Sequence, residues 1–433
     1  MAKGIWPEKS LGEHVDLLTG FPFKSRFFTH SLEDIPLVKG ENVHQGFIDW
    51  ERAKRWPREQ SEEYAKYRLR VGDVILAMDR PWIEAGLKFG WIKKEDPECL
   101  LVQRVARMRG NPSLLTDYLR YLIGSQTFAD YVRPIVTGVN VPHISGQQIK
   151  NFRFRLPPLE IQRKAVAILS AYDNLIDNNN RRIKALEEII RTIFSESFIK
   201  FRSLKSSTKG QEPVSKGQNP QDWNMVRVGD VAEIFRGRSY RTQNLVQEGG
   251  LPFVNLKCMN RGGGFRVDGL KRYQGEYRGD QLVTRGEIVI AVTDITQERR
   301  LVAHAARVPD FGESPCVFSM DLVKVVPRKG TFPTFLYGMF RYSGFAEEVR
   351  QYANGANVLH LNPNSIANYK FRLPPSDVQE QYHELVDPVF QECDNLSKAT
   401  DVLSQTRDSL LPKLISGELD VGDLDINLES DKT

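Results

Sequence analysis

The sequence predicts an α+β protein in which two β-rich domains are separated by two long antiparallel coiled-coil helices. Three observations predict this class: the chain repeats itself, each repeat changes from strand to helix patterning at a double proline, and each helical part carries a heptad seam. If the two helices pack on each other in opposite directions, the copies form an internal tandem repeat with pseudo-twofold symmetry.

The repeat is visible at both ends of each copy, about 217 residues apart. The segment WPEKSLGEHVDLLTGFPFKS at 6–25 returns as WNMVRVGDVAEIFRGRSYRT at 223–242. The segment TGVNVPHISGQQIKNFRFRLPPLEIQ at 137–162 matches NGANVLHLNPNSIANYKFRLPPSDVQ at 354–379 without a gap. A shared FRLPP with four separate identities at one offset indicates two copies of one module.

The repeat divides the chain into six predicted segments. These are a first β-rich domain at 1–157, a central long helix at 158–202, a flexible linker at 203–222, a second β-rich domain at 223–374, a C-terminal long helix at 375–418 and a polar tail at 419–433. Proline cannot continue a strand ladder but can open a helix, so each domain is expected to end at its double proline. The linker is polar and contains Gly and Pro, so it needs no fold.

Strand signals come first within each copy. Apolar runs predict strands at 14–18, 73–78 and 101–108 in the first copy and at 231–235, 287–292 and 322–326 in the second. The central strand of each copy follows a glycine turn, at Gly72 and Gly286, where glycine relieves backbone strain. A helical stretch is predicted after the strands, around 116–127 and 333–341.

Both long helices carry the apolar residues of a coiled-coil seam. They are Ile176, Ile183, Leu186, Ile190 and Ile193 in the first helix and Val389, Leu396, Leu403, Leu410 and Leu414 in the second. Neither seam is stable in water, so we expect the helices to pack on each other. Pro388 is expected to kink the second helix, and Pro412 to bend or fray its last turns.

Composition restricts the class of protein. At 433 residues, with 40% hydrophobic and 27% charged residues, the chain can form two or three globular cores. Its four scattered cysteines contain no CxxC pair, which argues against a zinc site or a disulfide framework and fits a reducing compartment. No run approaches the roughly 18 apolar residues of a membrane span, and the start lacks a signal-peptide core, so we expect a cytoplasmic protein. The net charge of +5 is compatible with a polyanionic partner.

The sequence lacks the motifs of an adenine methyltransferase and of an ATPase. An adenine methyltransferase should carry an Asn/Asp-Pro-Pro-Tyr/Phe loop and a glycine-rich cofactor turn, and an ATPase a G-x-x-x-x-G-K-[ST] loop. The nearest fragment, at Asn362 and Pro363, instead predicts a helix start with Asn362 as the cap. We therefore predict no catalytic residue and no metal ligand, since His143 and His360 have no visible partner ligands.

These motifs together resemble the DNA-specificity subunits of type I restriction-modification systems. The resemblance depends on the PPLEIQ junction, the paired G-x-N-V loops and the order domain, helix, domain, helix, and it covers 6 to about 421. The second copy departs slightly from the pattern, with Ser376 and Asp377 in PPSDVQ.

The resemblance implies a non-catalytic subunit with two target recognition domains, each gripping one half of a bipartite, asymmetric site in double-stranded DNA. It implies that the helices act as a spacer and as the docking surface for two methyltransferase subunits. It also implies that S-adenosylmethionine, ATP and Mg bind to partner subunits rather than to this chain, and that restriction subunits join the full complex.

Candidate DNA contacts follow from residue type. Groove readers use Arg or Lys for guanine and phosphate, Asn or Gln for adenine and Ser or Thr for either, on loops held by a rigid scaffold. The candidates in the first domain are Lys24, Ser25, Arg26, Arg80, Trp82, Lys88, Gln103, Arg104, Thr137, Asn140 and His143. Those in the second domain are Arg236, Arg238, Tyr240, Arg241, Thr293, Thr296, Gln297, Arg299, Arg300, Asn354, Asn357 and His360. For each of them, an ordinary solvated surface residue is the alternative.

Modules that read different sequences should differ where they read. We therefore predict base readout by the divergent segments 80–88 and 293–300. The shared residues Asn140, His143, Asn357 and His360 are predicted to position phosphates or to shape their loop, because glycine at φ > 0 and an Asx turn explain the shared loop equally well.

Two other classes of protein stay open: a scaffold whose β domains bind protein, and a methyltransferase or nuclease of unfamiliar motif. The DNA target itself is not readable from the sequence, because readout depends on loop geometry and DNA shape.

Overall fold

A computed structural model of the chain describes residues 6–136, 142–200, 223–310, 312–313 and 315–426. The chain forms two compact units: the first combines Met1–Leu175 with Leu403–Thr433, and the second is Ile176–Val402. Each unit therefore contains one β-rich domain together with parts of both long helices. The predicted linker at 203–222 lies outside the described residues.

The first domain contains eleven short strands, three short α-helices and three 3-10 helices in its described part. The strands are β1 Glu8–Ser10, β2 Val15–Thr19, β3 Ile35–Val38, β4 Arg55–Trp56, β5 Val74–Ala77, β6 Trp82–Ile83, β7 Gly86–Leu87, β8 Phe89–Trp91, β9 Leu100–Leu101, β10 Val105–Gly110 and β11 Arg153–Arg155. The helices are α1 Thr116–Ile123, α2 Gln126–Val136 and α3 Gly146–Lys150, followed by the long helix α4 Leu159–Phe194.

These strands form a small layered domain. An antiparallel sheet has the order β2-β10-β5-β8, and a second sheet has the order β4-β3-β9 with β3 and β9 parallel. Strand β1 pairs with β11, which brings the two ends of the domain together. In β5, Val74 and Leu76 pack towards the helices, whereas Ile75 and Ala77 pack towards the second sheet. Because both faces of β5 are covered, its sequence is apolar throughout rather than alternating.

The second domain contains the corresponding elements. Its strands are β12 Met225–Arg227, β13 Ala232–Arg236, β14 Leu245–Val246, β15 Leu251–Val254, β16 Lys271–Tyr273, β17 Leu282–Val283, β18 Ile288–Ala291, β19 Thr293–Asp294, β20 Ala305–Arg307, β21 Cys316–Phe318, β22 Leu322–Pro327, β23 Leu359–His360 and β24 Lys370–Arg372. Its helices are α5 Val228–Val231, α6 Pro333–Tyr342, α7 Phe345–Val349 and α8 Pro363–Ala367, followed by the long helix α9 Ser376–Ser416.

The two domains share one topology. The antiparallel sheet has the order β13-β22-β18-β20, and the second sheet again contains a parallel pair, β15 with β21. Strand β12 pairs with β24 as β1 pairs with β11. The predicted α+β class, with two β-rich repeats and long helices, is confirmed. The predicted cap is also confirmed, since the Asn362 side chain accepts the backbone N–H of Asn364 at 3.0 Å.

A buried glutamine joins each long helix to its domain. The Gln162 side chain accepts the backbone N–H of Leu115 at 2.9 Å and donates to the Pro157 carbonyl at 2.9 Å. Gln379 makes the two equivalent bonds in the second domain, at 3.0 and 2.8 Å. Both side chains are buried, so these bonds satisfy backbone groups at a helix start that water does not reach. This explains the final glutamine of the repeated PPLEIQ and PPSDVQ motifs.

The long helices run antiparallel within each unit. In the first unit, Asp173 of α4 pairs with Arg407 of α9 at 2.9 Å. In the second, Arg182 of α4 pairs with Glu392 of α9 at 2.8 Å. Later residues of α4 thus meet earlier residues of α9 inside the second unit, since the Phe194 ring contacts Tyr382 with centroids 5.9 Å apart.

All ten seam residues are buried or half-buried. Leu396 is 6% exposed, Ile190 is fully buried in the core of the second domain, and Leu414 is buried in that of the first. The seam therefore supports the β-rich domains as well as the helix pair.

Helix α9 runs without a break through both of its prolines. The expectation that Pro412 frays its last turns is wrong, because Leu414 and Ile415 lie buried in the first domain's core. Their burial outweighs the hydrogen bond that a proline removes. The residues after the helix are held as well: Val421 is buried, and the Lys164 ammonium donates to the Gly422 carbonyl at 2.6 Å. The expected polar tail thus begins with a packed segment.

Candidate nucleic-acid interface

The first domain has an open cleft where β2 and β5 end and β10 begins. We call this the first cleft, and its volume is about 690 Å³. It brings together five predicted site residues that are far apart in the sequence: Ser25, Arg80, Lys88, Gln103 and Arg104. Its other lining residues are Phe23, Phe28, Lys39, Gly40, Glu41, Asp79 and Val102.

Asp79 organises one wall of the first cleft. Its carboxylate accepts Arg104 Nη1 at 2.7 Å and lies 2.7 Å from His143 Nδ1. Burial raises the pKa of Asp79, but the hydrogen bonds from His143 and Arg104 outweigh it and hold the pKa below its usual value. The carboxylate therefore stays charged at neutral pH and holds both side chains. This contact supports a loop-shaping role for His143.

The backbone is unusual at the same place. Arg80 and Arg104 have φ angles of 43° and 63°. These lie in the left-handed region of backbone conformation, which residues other than glycine rarely adopt. In the second domain, Arg299 and Ala303 have φ angles of 54° and 66°. These are the non-glycine residues with positive φ in the part of the chain that the structure describes. Such conformations persist where the surrounding contacts impose them, and they concentrate at functional sites.

The other candidates of the first domain lie around the cleft. Lys88 is half-buried and donates to the Gly40 carbonyl, and burial lowers its pKa. Lys24 and Arg26 are exposed on the loop that follows β2. Trp82 is half-buried, and the Arg133 guanidinium lies over its ring at 4.4 Å from the ring centroid. This contact lies within the domain and supports its packing. Thr137 and Asn140 lie outside the described residues.

The second domain has a smaller cleft beside the end of β13, the residues after β18 and the turn before β22, and we call it the second cleft. Its volume is about 440 Å³. The lining residues are Arg236, Gly237, Ser239, Val292, Thr293, Met320, His360, Leu361, Asn362 and Pro363. Thr293 is only 5% exposed and its backbone pairs with His360. The side chain of Thr293 is thus almost wholly buried, which disfavours the predicted base readout at this residue.

A buried aspartate shapes the loop that follows β19. Asp294 accepts the backbone N–H and the hydroxyl of Thr296, both at 2.9 Å, and the N–H of Leu301 at 2.7 Å. Burial raises the pKa of Asp294, yet these hydrogen bonds outweigh it and lower the pKa. Asp294 is not among the predicted site residues, although the D-x-T spacing is the signal of an Asx turn. The Thr296 hydroxyl therefore stabilises the loop by donating to Asp294.

Two further candidates in this loop are tied to the segment 351–356. Gln297 donates to the Ala356 carbonyl at 2.9 Å, and Arg299 donates to the Gln351 side chain at 2.9 Å. Arg300 is exposed and pairs with Glu298 at 2.8 Å, a contact that DNA can replace at little cost. The predicted base-reading segment thus divides into an internally bonded part and an exposed part.

The remaining candidates of the second domain fall into two groups. Arg236, Arg241, Asn354, Asn357 and His360 are exposed. Arg238 and Tyr240 are half-buried, and Tyr240 packs edge-on against Phe253 with centroids 4.8 Å apart. Gly355 has φ 149°, and a Cβ there would lie 1.9 Å from the Val358 carbonyl oxygen. This glycine is therefore required by the loop itself.

The groups that line the two clefts are of the kinds that bind polar ligands. The first cleft presents several cations beside Asp79 and Glu41, and the second presents Arg236 with neutral polar and apolar groups. Among the described residues, no group of three or more His, Cys, Asp or Glu side chains is placed to hold a metal ion. Within the same ranges, no helix is long and apolar enough to span a membrane.

Comparisons with known proteins agree on one family. The model of the type I restriction modification DNA specificity domain matches the chain twice, at residues 6–188 and 220–402. The MjaIX specificity subunit of Methanocaldococcus jannaschii is 25% identical over 72% of this chain and 71% of its own. The EcoAI specificity subunit of Escherichia coli is 31% identical over 43% of this chain and 30% of its own.

A solved structure shares the fold. The S subunit of a type I restriction-modification system from M. genitalium superposes with a TM-score of 0.54 at 13% identity, covering 95% of this chain and 96% of that one. At this level of identity, the likeness concerns the fold alone.

Proposed function

Because the chain belongs to the type I restriction-modification DNA specificity family, whose domain it contains twice, we propose that it is the non-catalytic DNA-recognition subunit of a methyltransferase and restriction complex. Each β-rich domain reads one half of a bipartite, asymmetric site in double-stranded DNA. A subunit that reads chromosomal DNA acts in the cytoplasm.

One observation carries this proposal: each domain has a cleft at the same end of its four-stranded sheet, beside the turn that precedes β10 or β22, and the side chains there differ between the domains. The first cleft is lined by four cations, Lys39, Arg80, Lys88 and Arg104. The second cleft contains Arg236 as its one Lys or Arg among the lining residues. The two domains thus present different groups at this end of the sheet, which supports two different half-sites.

The exposed cations support contacts to phosphates. Lys24, Arg26, Arg236 and Arg241 are exposed beside the clefts. Each phosphate contact releases counterions, so affinity for DNA should fall steeply as salt rises. A scaffold whose domains bind protein would not bind DNA with an affinity that falls as salt rises. Titrating a labelled DNA duplex at several salt concentrations therefore separates the two functions.

The long helices support docking of two methyltransferase subunits. Leu175, Ile189 and Leu385 are large apolar side chains on α4 and α9, and they are 50%, 48% and 49% exposed. Exposed apolar side chains on a helix pair offer area for a protein partner. The partners bind S-adenosylmethionine, and restriction subunits bring ATP and Mg.

The composition of the complex tests the assembly. The chain should bind DNA weakly alone and become specific with two methyltransferase subunits. The purified components are mixed and the mass of the complex is measured. A complex with one methyltransferase subunit, or methylation by this chain alone, would contradict the proposal; the second result would favour a methyltransferase of unfamiliar motif.

Methylome mapping tests the independence of the two halves. Cells carrying the complex should show methylated adenines in a two-part motif. Exchanging 295–300, which leaves Asp294 in place, should change one half of that motif. Lys24→Ala should weaken binding to all sequences alike and reduce the salt slope by about one. A change in both halves after the exchange would mean that the domains do not read independently.

A further inference from the structure

One turn occupies the same rigid position in both domains. It joins β9 to β10 in the first domain and β21 to β22 in the second, and we call it the cleft turn. In the first domain, the backbone N–H of Gln103 donates to the Phe21 carbonyl at 2.8 Å. The carbonyl of Arg104 accepts the N–H of Met78 at 2.8 Å. Both residues of the turn are thus bonded to neighbouring chain segments through their backbone.

The cleft turn of the second domain has the same bonds. The backbone N–H of Met320 donates to the Arg238 carbonyl at 2.9 Å, and the carbonyl of Asp321 accepts the N–H of Val292 at 2.8 Å. Gln103 and Met320 are therefore structurally equivalent, and the sequence repeat aligns them as well. Their backbones are fixed by the same partners, so a difference between them lies in the side chains.

A glycine in the neighbouring segment lets the turn pack directly against it in both domains. A Cβ on Gly20 would lie 2.3 Å from the Val102 carbonyl oxygen, and a Cβ on Gly237 would lie 2.1 Å from that of Ser319. Real Cβ atoms do not come so close, so the strand end is in direct contact with the turn. Precise readout of a base needs a side chain on such a rigid support.

The two side chains differ in chemistry and both face the clefts. Gln103 is exposed and lines the first cleft. Met320 is 52% exposed and lines the second cleft. A single exposed apolar side chain is ordinary on a protein surface. Its significance here comes from the equivalent position, where the other domain carries an amide. In the major groove, Gln pairs with adenine N6 and N7, and an apolar group contacts the thymine methyl.

We propose that Gln103 and Met320 are a matched pair of specificity-determining residues. Gln103 reads an adenine of the first half-site through two hydrogen bonds. Met320 contacts the 5-methyl group of a thymine in the second half-site. This inference rests on the proposed function and adds to it the position of readout and the chemistry of one base in each half.

Reciprocal variants test the pair in the full chain with its methyltransferase subunits. Gln103→Met should reduce the preference for one base pair of the first half-site roughly 5- to 150-fold. The preference at the second half-site should stay unchanged. Met320→Gln should do the reverse. Gln60→Met and Met225→Gln are matched controls, since both residues are exposed but do not line a cleft. Both controls should methylate the unchanged motif.

Base analogues in synthetic duplexes identify the contacted atoms. Replacing each thymine of the second half-site by deoxyuridine should weaken wild-type binding several-fold at one position, and Met320→Gln should be insensitive there. Replacing each adenine of the first half-site by 7-deazaadenine should give the same pattern for Gln103 and Gln103→Met. These measurements use complexes whose thermal unfolding matches the wild type, so that loss of folding is separated from loss of readout.

The outcomes separate this inference from the proposed function. If the wild type gives a two-part motif that both variants methylate with unchanged preference, the pair does not read bases and the inference is wrong. Equal sensitivity of wild type and variant to the analogues would overturn it too. A wild-type complex that methylates no two-part motif would instead overturn the proposed function.

Discussion

At the scale of single residues, identity between the two repeats marks the scaffold. Gln162 and Gln379 make the same bonds at the start of each long helix, and Gly20 and Gly237 are needed for the same close approach. At Gln103 and Met320, where the repeats differ, both side chains are exposed. A position with the same structural role in both domains carries the same residue. A position on a surface that contacts different partners carries different residues.

The buried glutamine of α9 should be costly to remove. Gln379→Ala leaves the buried backbone N–H of Phe332 and the carbonyl of Pro374 without their side-chain partner. We expect a loss of about 2 to 4 kcal/mol in the free energy of unfolding, since an unsatisfied buried group costs roughly 1 to 3 kcal/mol. Denaturant unfolding measures it. Gln405→Ala, at an exposed position of the same helix, is the control, and equal stability of the two variants would contradict the prediction.

The Asp294 carboxylate should make the second domain sensitive to acid. Its pKa is lowered from 3.8, so its contribution to stability is present above that value and is lost as pH falls towards the folded pKa. Asp294→Asn should therefore be less stable than wild type at pH 7, by roughly 1 to 3 kcal/mol for a hydrogen-bonded charge. The difference should shrink below about pH 4. Thermal unfolding from pH 7 to 3.5 measures it; a gap that stays constant would show that the charge contributes nothing.

At the scale of elements, each long helix is also part of a domain core. Ile190 and Phe194 of α4 and Phe390 of α9 are buried with the residues of the second domain. Ion pairs also join α9 to the domain. The Asp394 side chain of α9 is 5% exposed and pairs with Arg307 at 3.1 Å and with Arg285 at 3.0 Å. Helix and domain in this unit therefore fold as one structure.

Removing Asp394 should weaken the packing of α9 on its domain. Arg307 is 11% exposed at its side chain, so Asp394→Ala leaves a buried cation without its carboxylate. Breaking a buried pair by removing one partner costs about 3 to 5 kcal/mol. Arg285→Ala should cost less than about 1 kcal/mol, because the Arg285 side chain is 43% exposed and solvent screens its pair. Glu384→Ala, at an exposed position of α9, is the control. If denaturant unfolding showed a larger loss of stability for Arg285→Ala than for Asp394→Ala, this assignment would be wrong.

At the scale of the whole molecule, the chain uses one architecture twice to serve two recognition surfaces. α4 and α9 are uninterrupted helices of 36 and 41 residues, and both units contain parts of each. The phase of each helix therefore matters to both units at once, since a rotation in its middle changes which side chains face the core at its end.

Insertions in the middle of both helices test this coupling. Four residues after Asn180 of α4 and four after Ala399 of α9 add about 6 Å of helix and almost restore the 3.6-residue phase. We expect an active complex whose two half-sites are unchanged and whose spacer is one or two base pairs longer, at about 3.4 Å per pair. Two residues at each place rotate the ends by about 200° and should abolish folding or partner binding.

Methylome sequencing reads the spacer in the insertion variants, and thermal unfolding reports whether they fold. An active four-residue variant with an unchanged spacer would show that the helices do not set the distance between the half-sites. An active two-residue variant would show that the phase of the helices is unimportant.

The sequence by itself determined the repeat, the α+β class, the strands that became β2, β5 and β10, and the long helices that follow the double prolines. These features depend on periodicity and on the local chemistry of proline, glycine and asparagine, which neighbouring residues reveal. Two predictions made in the same way needed changing: 101–108 contains a turn between β9 and β10, and the helical stretch from 116 is two helices, α1 and α2.

Only the tertiary structure decided which candidate residues meet. Ser25, Arg80 and Arg104 come together because three strand ends share one edge of a sheet, and no local pattern encodes that edge. The same contacts buried Thr293, committed Asp294 to its loop and kept α9 helical beyond Pro412. Burial and hydrogen-bond partners arise from segments distant in the sequence, so a residue's type suggested its chemistry while the fold determined whether that chemistry reaches solvent.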